Sequence, residues 1–228
     1  MLDAVLLDWE GVLADTGAAR RDALLRALAD EGVSSTVAAY DACCAGLDVR
    51  SAAAAAVRAA GCDDAPLAEV VALRAARAFT ERVAEGFSLT PGAMDFVTGA
   101  AHRTRVAIVT QAGRAETELA LRSAGLEEAV ATVLTVDDVT DPPPAPALVQ
   151  RAVTHLARLR PARANRVVVM THTAPALRAA RSAGVRTLAV GAPAHVAAEA
   201  DGAVDELCGL TLDTVVTLTG GVPASTGR

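Results

Sequence analysis

The chain of 228 residues contains no lysine, because all 21 of its basic residues are arginine. Mechanisms that need a lysine amine, such as Schiff-base formation or the phosphate contact of a Walker motif, are therefore excluded. Aromatic residues make up only 2% of the chain, although 52% of it is hydrophobic. Alanine, with 54 residues, supplies much of that hydrophobic fraction. Since alanine has the highest helix propensity, we expect helices to dominate.

The sequence also lacks a block of basic residues, and its formal net charge is −6. Nucleic-acid binding needs clustered positive charge, so we expect no nucleic-acid partner. No apolar run reaches the roughly 18 residues of a membrane-spanning helix, and the N-terminal segment carries acids where a signal peptide would carry bases. We therefore expect a cytoplasmic protein that contacts no membrane. Its partner should be a small molecule, with a protein partner as the alternative.

Short apolar runs that end in polar residues recur along the chain. They cover residues 4–8, 106–111, 132–138, 167–172 and 187–191. Such runs are typical of buried parallel strands, because helices cover both faces of the sheet. Helical segments with recognisable ends are predicted between them, at residues 114–124, 144–158 and 175–183. The alternation of strand and helix predicts an α/β fold with a doubly wound parallel sheet.

Residues 17–87 show only helical patterns, such as 52–60 with Ser51 as the N-cap. This segment predicts an all-helical domain inserted into a core of residues 1–16 and 88–218. The insertion follows the first strand, near the edge where open α/β sheets bind ligands, so we expect it to act as a lid. The last residues, 219–228, are rich in glycine and serine, and we expect a flexible tail.

Polar residues end the predicted strands, and in a parallel sheet these ends converge on one crevice. The residues in question are Asp8, Glu10, Thr110, Gln111, Asp137, Asp138, Thr171 and His172. Asp8 could act as a nucleophile or a metal ligand, or it could only satisfy loop amides. His172 is the best candidate among the histidines for a general base or ligand, and the alternative is a neutral histidine hydrogen-bonded in place.

Four segments resemble the motifs of the haloacid dehalogenase (HAD) superfamily in its phosphatase and phosphomutase branch. LLDWEGVLADT (6–16) resembles the first motif, commonly DxDGVLxDT, and VAIVTQAGR (106–114) resembles the second. PPAPALVQRAV (143–153) resembles the third motif, usually KPxPDxxxxA. VVVMTHTAPALRAARSAGV (167–185) resembles the fourth, usually VVxEDSxxGxxAAxxAG. The resemblance covers nearly the whole chain and implies a Rossmann-like core with a helical cap.

The resemblance also implies roles for individual residues. Asp8 matches the nucleophile that attacks phosphorus, and Glu10 stands at the acid–base position, one methylene longer than the usual aspartate. Thr110 matches the residue that binds the phosphoryl group, and Gln111 follows it as a further substrate-binding candidate. The implied cofactor is Mg²⁺, with Asp8 and Glu10 as its candidate ligands.

Other catalytic positions depart from the family pattern. Pro143 replaces the lysine of the third motif, and Thr171 and His172 replace the acidic pair that holds Mg²⁺. We therefore expect Mg²⁺ to bind weakly or not at all, since histidine suits a softer transition metal better. Arg114 and Arg50 are candidates to supply positive charge to the substrate, although a guanidinium does not reproduce the shape of an ammonium group.

Three hypotheses remain open. The first is a HAD-like hydrolase that acts on a small, phosphorylated metabolite through Asp8, with a degenerate site. The second is a catalytically inactive protein of this fold that binds a metabolite or a protein partner. The third is altered, metal-independent chemistry that uses Asp8, Glu10 and His172.

Overall fold

The structure is a computed structural model, and it describes residues 2–139, 146–159 and 162–220. The chain divides into two compact units. We call Met1–Asp15 together with Ser88–Arg228 the core unit, and Thr16–Phe87 the helical unit. Among the described residues, no helix has both the length and the apolar character to cross a bilayer.

Strands of the core unit alternate with helices along the sequence. The described strands are β1 (Ala4–Leu7), β2 (Arg105–Val109), β3 (Thr132–Leu134), β4 (Val167–Thr171), β5 (Arg186–Val190) and β6 (Gly202–Val204). The described α-helices are α1 (Gly17–Asp30), α2 (Val37–Cys43), α3 (Val49–Ala59), α4 (Ala65–Glu85), α5 (Ala93–Ala101), α6 (Arg114–Ser123), α7 (Pro146–Leu159), α8 (Ala174–Ser182), α9 (Ala194–Ala197) and α10 (Leu212–Leu218).

All pairings in the sheet are parallel, and the strand order is β3-β2-β1-β4-β5-β6. The predicted α/β class with a doubly wound parallel sheet is therefore confirmed. The chain moves outward from β1 first on one side and then on the other, so β1 and its neighbours form the switch point where such sheets bind ligands. Leu7 pairs in register with Ile108 and Met170. This register brings the residues that follow β1, β2 and β4 to the same edge.

Uniform burial of the central strands explains why they form a sheet covered on both faces. All four residues of β1 and all five of β4 are buried. On one face, strand residues such as Leu6 and Val169 pack with Leu148, Ala152 and Leu156 of α7. Every turn of α7 supplies an apolar residue to this contact, which is the expected pattern for a helix lying on a sheet.

Two details of the sequence interpretation were wrong. Helix α3 begins at Val49 and its N-cap is Asp48, whose carboxylate accepts hydrogen bonds from the backbone N–H groups of Arg50 and Ser51. Ser51 therefore lies inside the helix, because the aspartate three residues earlier already caps it. The run at residues 132–138 is also not one strand. It ends as β3 at Leu134, and a 3-10 turn covers Val136–Asp138.

The helical unit has a core built largely from alanine and leucine. Its buried residues include Leu24, Leu28, Ala53 and Ala72. The Arg20 guanidinium lies 4.1 Å from the centroid of the Phe79 ring, a cation–π contact within this unit. Of the tail predicted at residues 219–228, residues 221–228 lie outside the described part of the chain.

A pair of glycine substitutions in and before α5 should have opposite effects on stability. Gly92 has φ +78°, and a Cβ there would lie 2.4 Å from the backbone nitrogen of Cys208. We expect Gly92→Ala to lower the free energy of unfolding by about 3 kcal/mol, because strain and a backbone clash add. Gly99 lies inside α5, and open space surrounds the position that a methyl group would take. Gly99→Ala should therefore raise the free energy of unfolding by about 0.5 kcal/mol. Urea unfolding of both variants measures this; equal effects would contradict it.

Candidate functional site

Asp8 is the first residue after β1, and the hydrogen-bonding pattern of the sheet holds it in place. Its backbone N–H donates to the carbonyl oxygen of Met170 at 3.0 Å, which continues the pairing between β1 and β4. The Thr171 hydroxyl donates to Oδ2 of Asp8 at 3.1 Å. The same hydroxyl oxygen accepts the N–H of Thr173 at 3.4 Å. Both the backbone and the carboxylate of Asp8 are therefore attached to β4.

The chain turns tightly just after Asp8. The carbonyl oxygen of Trp9 accepts the N–H groups of Leu13 and Ala14, at 3.0 and 2.9 Å. Gly11 has φ +73° and donates its N–H to the carbonyl oxygen of Ala14 at 2.9 Å. Trp9 is buried, and Glu10 on the same turn is half-buried. The turn therefore holds Glu10 near Asp8 at the carboxyl edge of the sheet.

The electrostatic surroundings of Asp8 favour its protonated form. Burial raises the pKa of Asp8 to about 6, and the negative charge of Glu10 acts in the same direction. The electrostatic interaction with His172, the Thr171 hydroxyl and the Trp9 backbone N–H lower this pKa, but less than burial raises it. Asp8 is therefore harder to ionise than an ordinary aspartate.

Thr110 is the first residue after β2, which pairs with β1 on the side opposite β4. Its N–H donates to the carbonyl oxygen of Leu134 at 3.0 Å, and its side chain is buried. Its Oγ1 accepts the N–H of Ala112 at 3.2 Å. Because this oxygen acts as the acceptor in that bond, the hydroxyl hydrogen remains able to donate to a ligand. Gln111 follows directly and is half-buried.

His172 is the first residue after β4, and its ring packs against the turn that follows Asp8. A Cβ placed on Gly11 would lie 2.6 Å from both Nδ1 and Cε1 of the His172 ring. The Nδ1 atom is buried and has no hydrogen-bond partner among the described residues. The histidine thus fills the space beside Gly11, and it lies close enough to Asp8 to influence the pKa of that carboxyl group.

Arg114, at the start of α6, interacts with several acidic residues. Its guanidinium forms ion pairs with Asp138 and Glu118 and donates to the carbonyl oxygen of Val133 at 3.2 Å. Its backbone N–H donates to the Asp137 carboxylate at 2.8 Å. Asp137 and Asp138 therefore hold the start of α6 in position. The role of Arg114 in substrate binding stays a prediction, since these acids already balance its charge.

Arg50 lies in the helical unit, where its side chain is 74% exposed and sits 3.6 Å from Glu69. It lines an open pocket of about 250 Å³ together with Arg58, Asp63 and Asp64. The contact of Arg50 with a substrate also stays a prediction. Pro143, at the position of the lysine in the third motif, falls outside the described residues.

The donors near Asp8 do not fit a magnesium ion. Mg²⁺ demands near-ideal octahedral coordination by oxygen, usually from one or two carboxylates, waters and substrate oxygens. After β4 the chain offers the Thr171 hydroxyl, which is already bonded to Asp8, and the His172 imidazole. No group of three or more His, Cys, Asp or Glu side chains suited to a metal occurs in the described part of the chain. Asp8 and Glu10 thus remain as candidate ligands without the acids that would complete a site.

Comparison with known proteins identifies the family. The chain belongs to the haloacid dehalogenase-like hydrolase family, whose model matches residues 5–190. This confirms the family resemblance and the hydrolase class. The search of curated proteins returned no match.

Solved structures share the fold over almost the whole chain. CbbY from Rhodobacter sphaeroides in complex with phosphate is 25% identical, with a TM-score of 0.82, over 93% of this chain and 98% of that one. A second CbbY structure contains xylulose-(1,5)bisphosphate, at the same identity and coverage with a TM-score of 0.81. Beta-phosphoglucomutase from Clostridium difficile is 12% identical, with a TM-score of 0.83, over 96% and 98% of the two chains. The HAD-hydrolase YfnB from Bacillus subtilis, bound to magnesium, is 16% identical, with a TM-score of 0.68, over 90% and 95%.

We expect Asp8→Asn to stabilise the protein at neutral and alkaline pH. The pKa of Asp8 is higher in the folded protein, at about 6, than its ordinary value of 3.8. The folded state therefore binds the proton more tightly, and ionisation of Asp8 lowers the free energy of unfolding as the pH rises from about 4 to about 6. Asparagine avoids this cost, so the variant should gain on the order of 3 kcal/mol at pH 8.

Urea unfolding of both proteins at pH 4, 6 and 8 measures this difference. The gain should vanish toward pH 4, where Asp8 is protonated in the wild type. Asp205→Asn, at an exposed aspartate of the core unit, is the matched control and should change little. A gain that is the same at pH 4 and pH 8 would show that ionisation is not its cause.

A double-mutant cycle tests the contact between Gly11 and His172. Gly11→Ala should lower the free energy of unfolding by about 3 kcal/mol, because the methyl group meets the imidazole ring and the backbone is left-handed. In a His172→Ala background only the backbone strain remains, so the same change should cost about 1 kcal/mol. Denaturant titration of the four proteins gives the coupling energy, and additive effects would rule out the contact.

Proposed function

We propose that this chain is a hydrolase that acts on a small, phosphorylated metabolite with Asp8 as its nucleophile. The observation that carries the proposal is the placement of the Asp8 carboxylate at the switch point of the sheet, where the Thr171 hydroxyl orients it. Thr110 directly follows the neighbouring strand β2 and retains a hydroxyl hydrogen for a phosphoryl oxygen. The phosphate and the xylulose-(1,5)bisphosphate bound to CbbY support a substrate of this class.

The reaction would proceed in two steps. An Asp8 oxygen attacks phosphorus, the bond to the leaving oxygen breaks, and Glu10 donates a proton to that oxygen. A water molecule then attacks the phosphoaspartate, Glu10 accepts its proton, and inorganic phosphate leaves while Asp8 is regenerated. Thr110 donates a hydrogen bond to a phosphoryl oxygen in both steps. Since the donors present do not fit Mg²⁺, neither step is assigned to a metal.

The direct test is turnover of p-nitrophenyl phosphate and a panel of sugar phosphates, in buffers with Mg²⁺ and with EDTA. We expect wild-type turnover, and a loss of at least about 10³-fold in kcat for Asp8→Asn. Turnover should rise with pH through about 6, because the nucleophile must be ionised. His155→Asn, at an exposed histidine of α7, is the control. Equal turnover by the wild type and Asp8→Asn would contradict the proposal.

The second candidate function is ligand or partner binding without catalysis. It is favoured by the absence of lysine from the chain and by Pro143 at the third motif, because losing one preorganised charged donor costs about 10²- to 10³-fold in rate. In that case Asp8→Asn should change little. Substitutions on the surface of the helical unit, such as Arg50→Ala, should instead weaken binding of the partner or metabolite by several-fold, which calorimetry with the identified ligand would measure.

A further inference from the structure

The His172 ring occupies a specific place at the carboxyl edge of the sheet. It follows β4 directly, and it lies against Gly11 with its Nδ1 atom buried and without a hydrogen-bond partner in the described residues. The close approach leaves no room for even a methyl group on Gly11. The ring can therefore meet a ligand only through its other nitrogen, Nε2.

The packing of this ring has a consequence for cation binding. A divalent ion between Asp8 and the end of β4 would need oxygen ligands from both sides. The end of β4 supplies a hydroxyl that already donates to Asp8, followed by an imidazole ring fixed on the turn. Imidazole suits Zn²⁺ or Cu²⁺ better than Mg²⁺. In addition, the Nδ1 atom of His172 is buried against Gly11. Both the chemistry and the position of His172 thus oppose magnesium.

We propose that His172 takes the place of the divalent cation in this site, so that the chain holds an anionic ligand oxygen through Nε2 of His172 and binds no Mg²⁺. The nitrogen donates a hydrogen bond to the oxygen, while Thr110 donates from the opposite side of Asp8. The identity of the ligand as a phosphate rests on the proposed function. The exclusion of Mg²⁺ does not, because it can be measured without turnover.

The single tryptophan of the chain provides a direct reporter, because Trp9 is buried next to Asp8. Mg²⁺ is titrated into the wild type, His172→Asp and His155→Asp, with Trp9 fluorescence and calorimetry as readouts. The wild type and His155→Asp should show no saturable binding up to about 10 mM, whereas His172→Asp should bind with a Kd of about 1 mM or tighter. His155 is exposed on α7, so its variant matches the charge change at a remote position.

Binding of Mg²⁺ by the wild type with a Kd of about 1 mM or tighter would overturn the proposal. So would a folded His172→Asp that binds no better than His155→Asp. If His172→Asp does not fold, as judged by circular dichroism, His172→Asn serves as the second variant. It supplies an uncharged oxygen and should still bind Mg²⁺ more tightly than the wild type, and failure to do so would also overturn the proposal.

Nuclear magnetic resonance of the four histidines tests the contact with the ligand. Inorganic phosphate is added to the ¹⁵N-labelled wild type in EDTA, and His172→Asn assigns the His172 signals. The Nε2 signal of His172 should shift with saturation while the His155 signal does not. Absence of such a shift would overturn the ligand contact. Loss of Asp8-dependent turnover with this shift intact would instead count against the proposed function, so the two failures are distinguishable.

Discussion

The hydrogen bond from Thr171 to Asp8 is the interaction on which the site depends. The parallel pairing of β1 with β4 brings these two residues side by side, and the hydroxyl then selects one oxygen of the carboxylate. The same pairing brings His172 onto the turn after Asp8. A shift of this register by one residue would move every side chain to the opposite face of the sheet. The observed pairing of β1 with β4 therefore places the residues of this edge.

The cost of holding Asp8 in this environment bears on whether it has a function. Burial raises the pKa of Asp8, so its ionised form is less favourable in the folded protein than in water. A residue present only to satisfy Thr171 and the loop would gain nothing from that charge, since an amide of the same size accepts the same hydrogen bond. This cost of ionisation is consistent with the proposed role of Asp8 as a nucleophile.

The sequence predicted the elements governed by local patterns. Apolar runs predicted five strands. The polar residues at the ends of these runs predicted that Asp8, Thr110 and His172 lie at one edge of the sheet, because the carboxyl ends of parallel strands share that edge. β6 was missed, since its three residues, Gly202–Val204, contain too few apolar positions for a pattern. Helix α2, with seven residues and a single buried tyrosine, was missed for a similar reason.

Contacts between residues far apart in the sequence were beyond such patterns. The ion pair of Arg114 with Asp138, which follows β3, depends on how α6 packs, and no spacing rule predicts it. The contact of His172 with Gly11 joins residues more than a hundred positions apart and appears only when β4 lies beside β1. The motif comparison could show that histidine replaces an acid, but it could not show that the His172 ring packs against Gly11.

Membership of a family fixes a scaffold more firmly than a reaction, because function resides in individual side chains placed on that scaffold. In this chain the backbone features that build the edge are all present: the tight turn at Gly11, the buried Thr110 and the pairing that supports Asp8. The changed positions, Pro143, Thr171 and His172, are those at which the family motifs carry charged residues. A protein altered in this way keeps the backbone of this edge and changes the charges that a ligand would meet there. The proposed ligand contacts therefore depend on His172 and Glu10 rather than on the charges that the family motifs carry.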